Sequence, residues 1–114
     1  MRIISKMLKK RAVYWAPTGR DNDGNPIYEE MPIELKVRWE EKHQQFTNAA
    51  GESFVCSIHV FVDQDVELGG LIKYGPLDSL TSTRHEDNTE IYEIQIFDKT
   101  PTLKHSKYVR EVWA

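Results

Sequence analysis

The chain has a single cysteine, Cys56, and no histidine pair at the spacing of a zinc site. Cys56 cannot form an internal disulfide and lies in an alternating apolar run, so we expect a buried, unreactive thiol. The four histidines are far apart in the sequence: His43, His59, His85 and His105. No serine nucleophile motif and no glycine-rich phosphate loop is present. We therefore expect a protein that is not an enzyme, with no catalytic residues, no cofactor and no bound metal.

Long apolar runs are also missing. No stretch approaches the roughly 18 apolar residues of a membrane span, and the apolar part of the N-terminal segment is too short for a signal peptide. We expect a soluble protein made in the cytoplasm, with no membrane partner. The 114 residues suffice for one core. The sequence therefore predicts a single domain over 1–114, with a basic arm over 1–10 and a body over 11–114.

Acidic residues are absent from the first twenty positions, which carry a charge of +6. The other nine basic residues and all eighteen acidic residues give the rest of the chain −9. We predict that the basic residues of the arm make inter-subunit contacts: Arg2, Lys6, Lys9, Lys10 and Arg11. Three interpretations of the arm are open: it docks on an acidic neighbour such as another copy, it contacts DNA phosphate, or it is merely a solvated terminus. Apolar residues at positions 3, 4, 7 and 8 suit a short helix, and an extended arm is the alternative.

Strict alternation makes 33–40 the clearest strand, with Ile33, Leu35, Val37 and Trp39 on one face. Further strands are predicted over 11–16, 54–62, 71–74, 91–97 and 107–113. Polar or turn-rich connections are predicted over 17–26, 41–52 and 76–90. This order predicts an all-β fold, a small antiparallel β-barrel or sandwich. One inner face should hold Leu35, Val37, Trp39, Ile58, Val60 and Ile94, with His59 on the outward face of its strand.

The acidic run from Asp21 to Asn25 has oxygen ligands at the first positions of a calcium loop. The required glycine and bidentate glutamate are missing, because those two positions are Pro26 and Pro32. We interpret the run as an ordinary turn.

Several segments together resemble the head-closure proteins of tailed phages, which are also called stoppers or head–tail connectors. They cover most of residues 11–113: Val13-Tyr14-Trp15, Asp23-x-x-Pro26, Ile33-x-Leu35-x-Val37-Arg38-Trp39-Glu40, Gly51-Glu52, the alternating run 54–62, Gly69-Gly70-Leu71-Ile72-x-x-Gly75, and 108–113. The resemblance implies a β-barrel subunit in a homo-oligomeric ring of twelve or six copies. It also implies a place in the virion neck, assembled in the host cytoplasm between portal or adaptor and tail-terminator proteins, with non-specific contact to packaged DNA. A tail-terminator or tail-completion subunit, a small oligonucleotide-binding barrel and a host-directed interaction module are the alternatives.

The long polar loop 76–90 is the predicted channel-facing gate, carried by Thr81, Ser82, Thr83, Arg84 and His85. Arg84 and His85 would hold a DNA end, while nearby acidic residues keep that grip weak. The stretch 41–52 and the turn 17–26 are competing candidates for the gate.

Overall fold

Nine strands are present in the computed structural model, which describes residues 8–101 and 108–114. They are β1 (Lys10–Trp15), β2 (Pro17–Arg20), β3 (Pro26–Tyr28), β4 (Ile33–Thr47), β5 (Ser53–Val62), β6 (Leu71–Tyr74), β7 (Tyr92–Glu93), β8 (Ile96–Pro101) and β9 (Tyr108–Trp113). Short 3₁₀ turns occur at Leu77–Ser79 and His85–Asp87. Most of the predicted helix at 3–10 lies outside the described residues. Lys10 already belongs to β1, and Leu8 is buried.

Seven strands form one antiparallel sheet in the order β7-β6-β1-β4-β5-β9-β8, and β2 pairs with β3 in a second, small sheet. Only two residues, Ile94 and Gln95, separate β7 from β8, although these strands lie at opposite edges. The large sheet must therefore bend until its edges approach each other. It is not closed into a barrel, and its arrangement is sandwich-like. The all-β prediction is confirmed in its sandwich form, and the barrel form of it is wrong.

The core lies inside this bend. Five of the six residues predicted for one inner face are at most 1% exposed: Leu35, Val37, Ile58, Val60 and Ile94. Trp39 is half-buried and packs against the same cluster, with its ring centroid 5.2 Å from that of Tyr74. Ile33, at the start of β4, was predicted to face inward and is 45% exposed. Period-two alternation thus identified the shared face, because one face of each strand is covered by the opposite half of the sheet.

The polar stretch 41–52 was predicted as a connection, and this prediction is wrong for its first half. β4 continues through it to Thr47 and pairs with β5 as far as Ser53, with a bulge between Glu41 and Gln44. The Asn48 side chain accepts the N–H groups of Ala50 and Glu52 and closes the hairpin. Residues 41–45 are exposed at every position. A strand with solvent on both faces has no apolar alternation by which the sequence could reveal it.

The predicted strand 91–97 is divided between the two edges of the sheet. Ile94 donates its N–H to the carbonyl of Gly70 and accepts from Gly69, whereas the Gln95 N–H bonds to the carbonyl of Trp113.

The turn prediction at 17–26 is confirmed only for its centre, since β2 and β3 flank it. There the Asp21 carboxylate accepts the N–H groups of Asp23 and Asn25, each at 2.9 Å. Backbone amides therefore occupy that carboxylate, as expected for an ordinary turn.

Candidate functional site: the polar loop and the adjoining groove

The loop 76–90 covers the outer face of β1. Trp15 is fully buried on that face, and its indole N–H donates to the carbonyl of Thr83 at 2.8 Å. Asn88 ties the loop to itself, because its side-chain amide donates to the carbonyls of Ser82 and Arg84. The loop is thus anchored by side chains that bond backbone groups, which is the organisation of a compact Ω-type loop.

The five predicted gate residues follow one another in the loop, and their side chains make different contacts. Thr81 is exposed, and the Ser82 hydroxyl donates to the Asp87 carboxylate at 2.8 Å. The side chains of Arg84 and His85 both reach Glu86, at 2.8 and 3.0 Å. The two side chains predicted to hold DNA therefore already contact a carboxylate of the same loop.

An open groove of about 590 Å³ separates this loop from the end of the β2–β3 hairpin. One wall is the segment 26–31 and the other is 83–86. Tyr28 and His85 meet across it edge to face, with ring centroids 4.8 Å apart. Apolar surface is exposed in the first wall, where Ile27 is 42% and Met31 66% exposed. In the described parts of the chain, β3 pairs only with β2, so one edge of β3 remains unpaired.

The groove has an excess of negative charge. Its lining holds three carboxylates and one guanidinium, which gives −2 with His85 neutral. The hydrogen bond from Arg84 holds the pKa of Glu86 below its usual range, and Glu86 in turn raises that of Arg84. Burial raises the pKa of the Tyr28 phenol, with a further contribution from Glu93. Glu29 and Glu30 are exposed and have no ion-pair partner among the described residues. This surface repels phosphate and attracts cationic groups.

The predicted arm residues are only partly described. Arg2 and Lys6 lie outside the described residues, and Lys9 and Lys10 are exposed. Arg11 is half-buried in β1 and pairs with Glu34 of β4 at 3.1 Å. Arg11 therefore makes an ion pair between two neighbouring strands of its own chain.

His59 was predicted to face outward, and the structure buries it to 8% exposure. Its ring stacks on Trp113 with centroids 4.1 Å apart, because β9 pairs with β5 and sets Trp113 opposite His59. Its Nε2 lies 3.3 Å from a carboxylate oxygen of Glu111, while Nδ1 lies 3.8 Å from Glu40 and has no hydrogen-bond partner within 8–101 and 108–114. Sequence alternation could not reveal this cluster, because it depends on which strand pairs with β5.

Three further observations concern the thiol, metal binding and membrane-spanning helices. Cys56 is fully buried, and burial raises the pKa of its thiol, so the predicted burial is confirmed. No group of histidine, cysteine, aspartate or glutamate side chains in 8–101 and 108–114 is placed to hold a metal ion. Over the same ranges, no helix has the length and hydropathy needed to cross a membrane.

Comparison with known protein families, with curated proteins and with solved structures finds no match to this chain.

Proposed function

We propose that this chain is a structural subunit of the neck of a tailed phage, where copies form a ring that joins head to tail and helps to retain packaged DNA. The observation that carries the proposal is the separation of charge between a basic N-terminal segment and an acidic body. A head-to-tail ring needs two unlike, complementary surfaces on every subunit. The sequence resemblance to head-closure proteins points to the same class of assembly.

The geometry of β1 supports a head-to-tail arrangement. The basic segment enters the fold at Lys10, whereas Trp15, at the other end of β1, contacts the loop that borders the acidic groove. The strand has six residues, and five steps of about 3.3 Å separate its two ends by about 17 Å. Opposite charges at opposite ends of a subunit favour end-to-end contact between copies.

In this proposal the loop 76–90 faces the channel. Since Arg84 and His85 are partnered by Glu86, contact with DNA would be weak and reversible. An acidic lumen suits that role, because phosphate contacts are the source of non-specific affinity. DNA could then pass during packaging without adhering to the ring.

Electron microscopy of the purified protein, alone and on isolated phage necks, tests the proposal directly. We expect closed rings of twelve or six copies, located next to the portal or adaptor. Heads assembled without the protein should fill and then lose DNA. A protein that stays monomeric and is absent from necks would contradict the proposal, whereas rings found only at the distal tail end would favour a tail-terminator role.

The gate assignment has its own test in the double variant Arg84→Ala/His85→Ala. This change leaves the Thr83 carbonyl in place for Trp15, and it keeps the groove carboxylates Glu29, Glu30 and Glu86 while removing a cation, so the body should stay folded and rings should still form. We expect filled heads to lose DNA faster than wild type. Glu41→Ala/Gln45→Ala, in the exposed hairpin of β4 and β5, is the matched control and also tests the competing stretch 41–52. If only the control variant lost DNA faster than wild type, the gate would be assigned to that hairpin instead of the loop 76–90.

A further inference from the structure

The groove between 26–31 and 83–86 has the features of a receptor for an extended, basic and partly apolar segment. Its first wall exposes apolar side chains at Ile27 and Met31, and its carboxylates Glu29 and Glu30 have no ion-pair partner in the described part of the chain. The backbone of that wall is held in place, since the Glu29 N–H donates to the carbonyl of Ala16 at 2.8 Å. A preformed wall reduces the ordering cost of binding.

One segment of the chain itself has the complementary chemistry. Residues 1–10 hold four basic and no acidic side chains, together with the apolar residues Ile3, Ile4, Met7 and Leu8. Leu8 is already buried in its own chain, which leaves Arg2 and Lys6 as the basic residues of the arm before it. We infer that the groove is the docking site for the basic arm of a neighbouring copy of this chain.

A neighbour's arm fits the geometry better than the subunit's own arm. The arm leaves β1 at its Lys10 end, and the groove lies beyond the Trp15 end. An arm bound to its own groove would have to double back along the whole of β1. An arm directed away from β1 would meet the next subunit, and repetition of that contact generates a ring when the rotation between copies closes.

Bound in this way, the arm would contact residues 83–86, which include the proposed gate residues Arg84 and His85. Assembly and the position of the proposed gate would then depend on the same segment. This inference rests on the ring proposed above and names the surface through which the ring forms.

Charge exchange in the full-length protein tests the inference. Glu29→Lys/Glu30→Lys reverses the groove, and Arg2→Glu/Lys6→Glu reverses the arm. Each double variant should reduce self-association by about tenfold or more in sedimentation velocity, because like charges then face each other. The quadruple variant, with both surfaces reversed, should regain assembly. Recovery of this kind cannot arise from misfolding of either double variant.

Glu41→Lys/Glu52→Lys is the matched control, because it reverses two exposed carboxylates on the hairpin of β4 and β5 with the same change in net charge. This control should assemble like wild type. Equal loss in the control would assign the effect to overall charge and overturn the groove assignment. Failure of the quadruple variant to regain assembly would overturn it as well.

A binding measurement separates this inference from the proposed function. A fluorescent peptide of residues 1–7 should bind the full-length chain carrying Arg2→Glu/Lys6→Glu, whose groove is intact, and should bind about tenfold more weakly in high salt or after Glu29→Lys/Glu30→Lys. If the peptide binds but the wild-type chain stays monomeric, the ring is refuted and the groove remains a receptor for basic segments. Rings without peptide binding would refute the groove and keep the ring.

Discussion

Gly70 lies where three segments of the backbone meet. A Cβ atom at this position would lie 2.6 Å from a ring carbon of Tyr14 and 3.2 Å from the carbonyl oxygen of Trp15. The Gly70 carbonyl also accepts the N–H of Ile94, which limits its freedom to move away. Tyr14 is fixed in turn, because its hydroxyl accepts the N–H of Glu67 at 2.8 Å.

We therefore expect Gly70→Ala to lower the free energy of unfolding by about 1–3 kcal/mol, the usual cost of overpacking. Urea denaturation of the purified protein measures it. In a Tyr14→Leu background the same substitution should cost less, because the ring atom that it meets is gone. An equal cost in both backgrounds would show that Tyr14 is not the source of the clash.

Trp15 links the body to the loop 76–90 through one hydrogen bond to Thr83. Trp15→Phe keeps most of the buried ring and removes the donor, so we expect a loss of about 1–3 kcal/mol from the unsatisfied carbonyl and the small cavity. Proteolysis within 76–90 should become faster at the same time. Trp39→Phe, a half-buried control in contact with Tyr74, should leave proteolysis of the loop unchanged.

Strands β8 and β9 are connected to the segment that follows β5 by one exposed carboxylate. Asp65 accepts from Arg110 of β9 at 2.6 Å and from Lys99 of β8 at 3.2 Å. These hydrogen bonds, with Arg110 the larger contributor, hold the pKa of Asp65 below its usual value of 3.8. A carboxyl whose pKa is lowered by folding stabilises the folded state above its unfolded pKa, and this contribution disappears as the pH falls through the folded pKa.

Asp65→Asn should therefore be less stable than wild type at neutral pH, and the difference should shrink as the pH falls below 3.8. Thermal unfolding of both proteins between pH 7 and pH 2 gives the comparison. Asp23→Asn, an exposed position in the β2–β3 turn, serves as the control and should show no such convergence. A difference that persists unchanged at the lowest pH would mean that ion pairing of Asp65 contributes nothing.

The folded body includes Leu8 and Lys10, although the charge pattern assigns both residues to the arm. The sequence predicted an arm over 1–10, but Leu8 is 6% exposed and Lys10 pairs with Val37. Removal of residues 1–7 should change the free energy of unfolding by less than about 0.5 kcal/mol. Removal of 1–10 should cost about 1.5–3 kcal/mol, because it also removes the buried Leu8 side chain.

Urea denaturation of the two truncated proteins and of full-length Leu8→Ala tests this boundary. The longer truncation and Leu8→Ala should both be destabilised, and the shorter truncation should resemble wild type. If both truncations were equally destabilised, residues 1–7 would belong to the body of their own subunit, and the arm–groove contact between copies would lose its basis.

The sequence by itself determined the all-β class, the burial of Cys56 and five of the six residues of the shared inner face. These follow from local rules, since side chains alternate along a strand and apolar ones face the core. Turn residues around Asp21 were recognisable for the same reason, because the Asx turn involves only near neighbours.

Only the tertiary structure decided which strands are neighbours. That pairing brings together the residues of the His59 cluster and of the groove. Burial of His59 depends on β9 setting Trp113 opposite it, and the division of 91–97 depends on the bend that brings both edges of the sheet together. The groove combines segments separated by more than fifty residues, with charges already paired inside one wall. Contacts at such separations depend on chain topology, which the periodicity of a single strand does not encode.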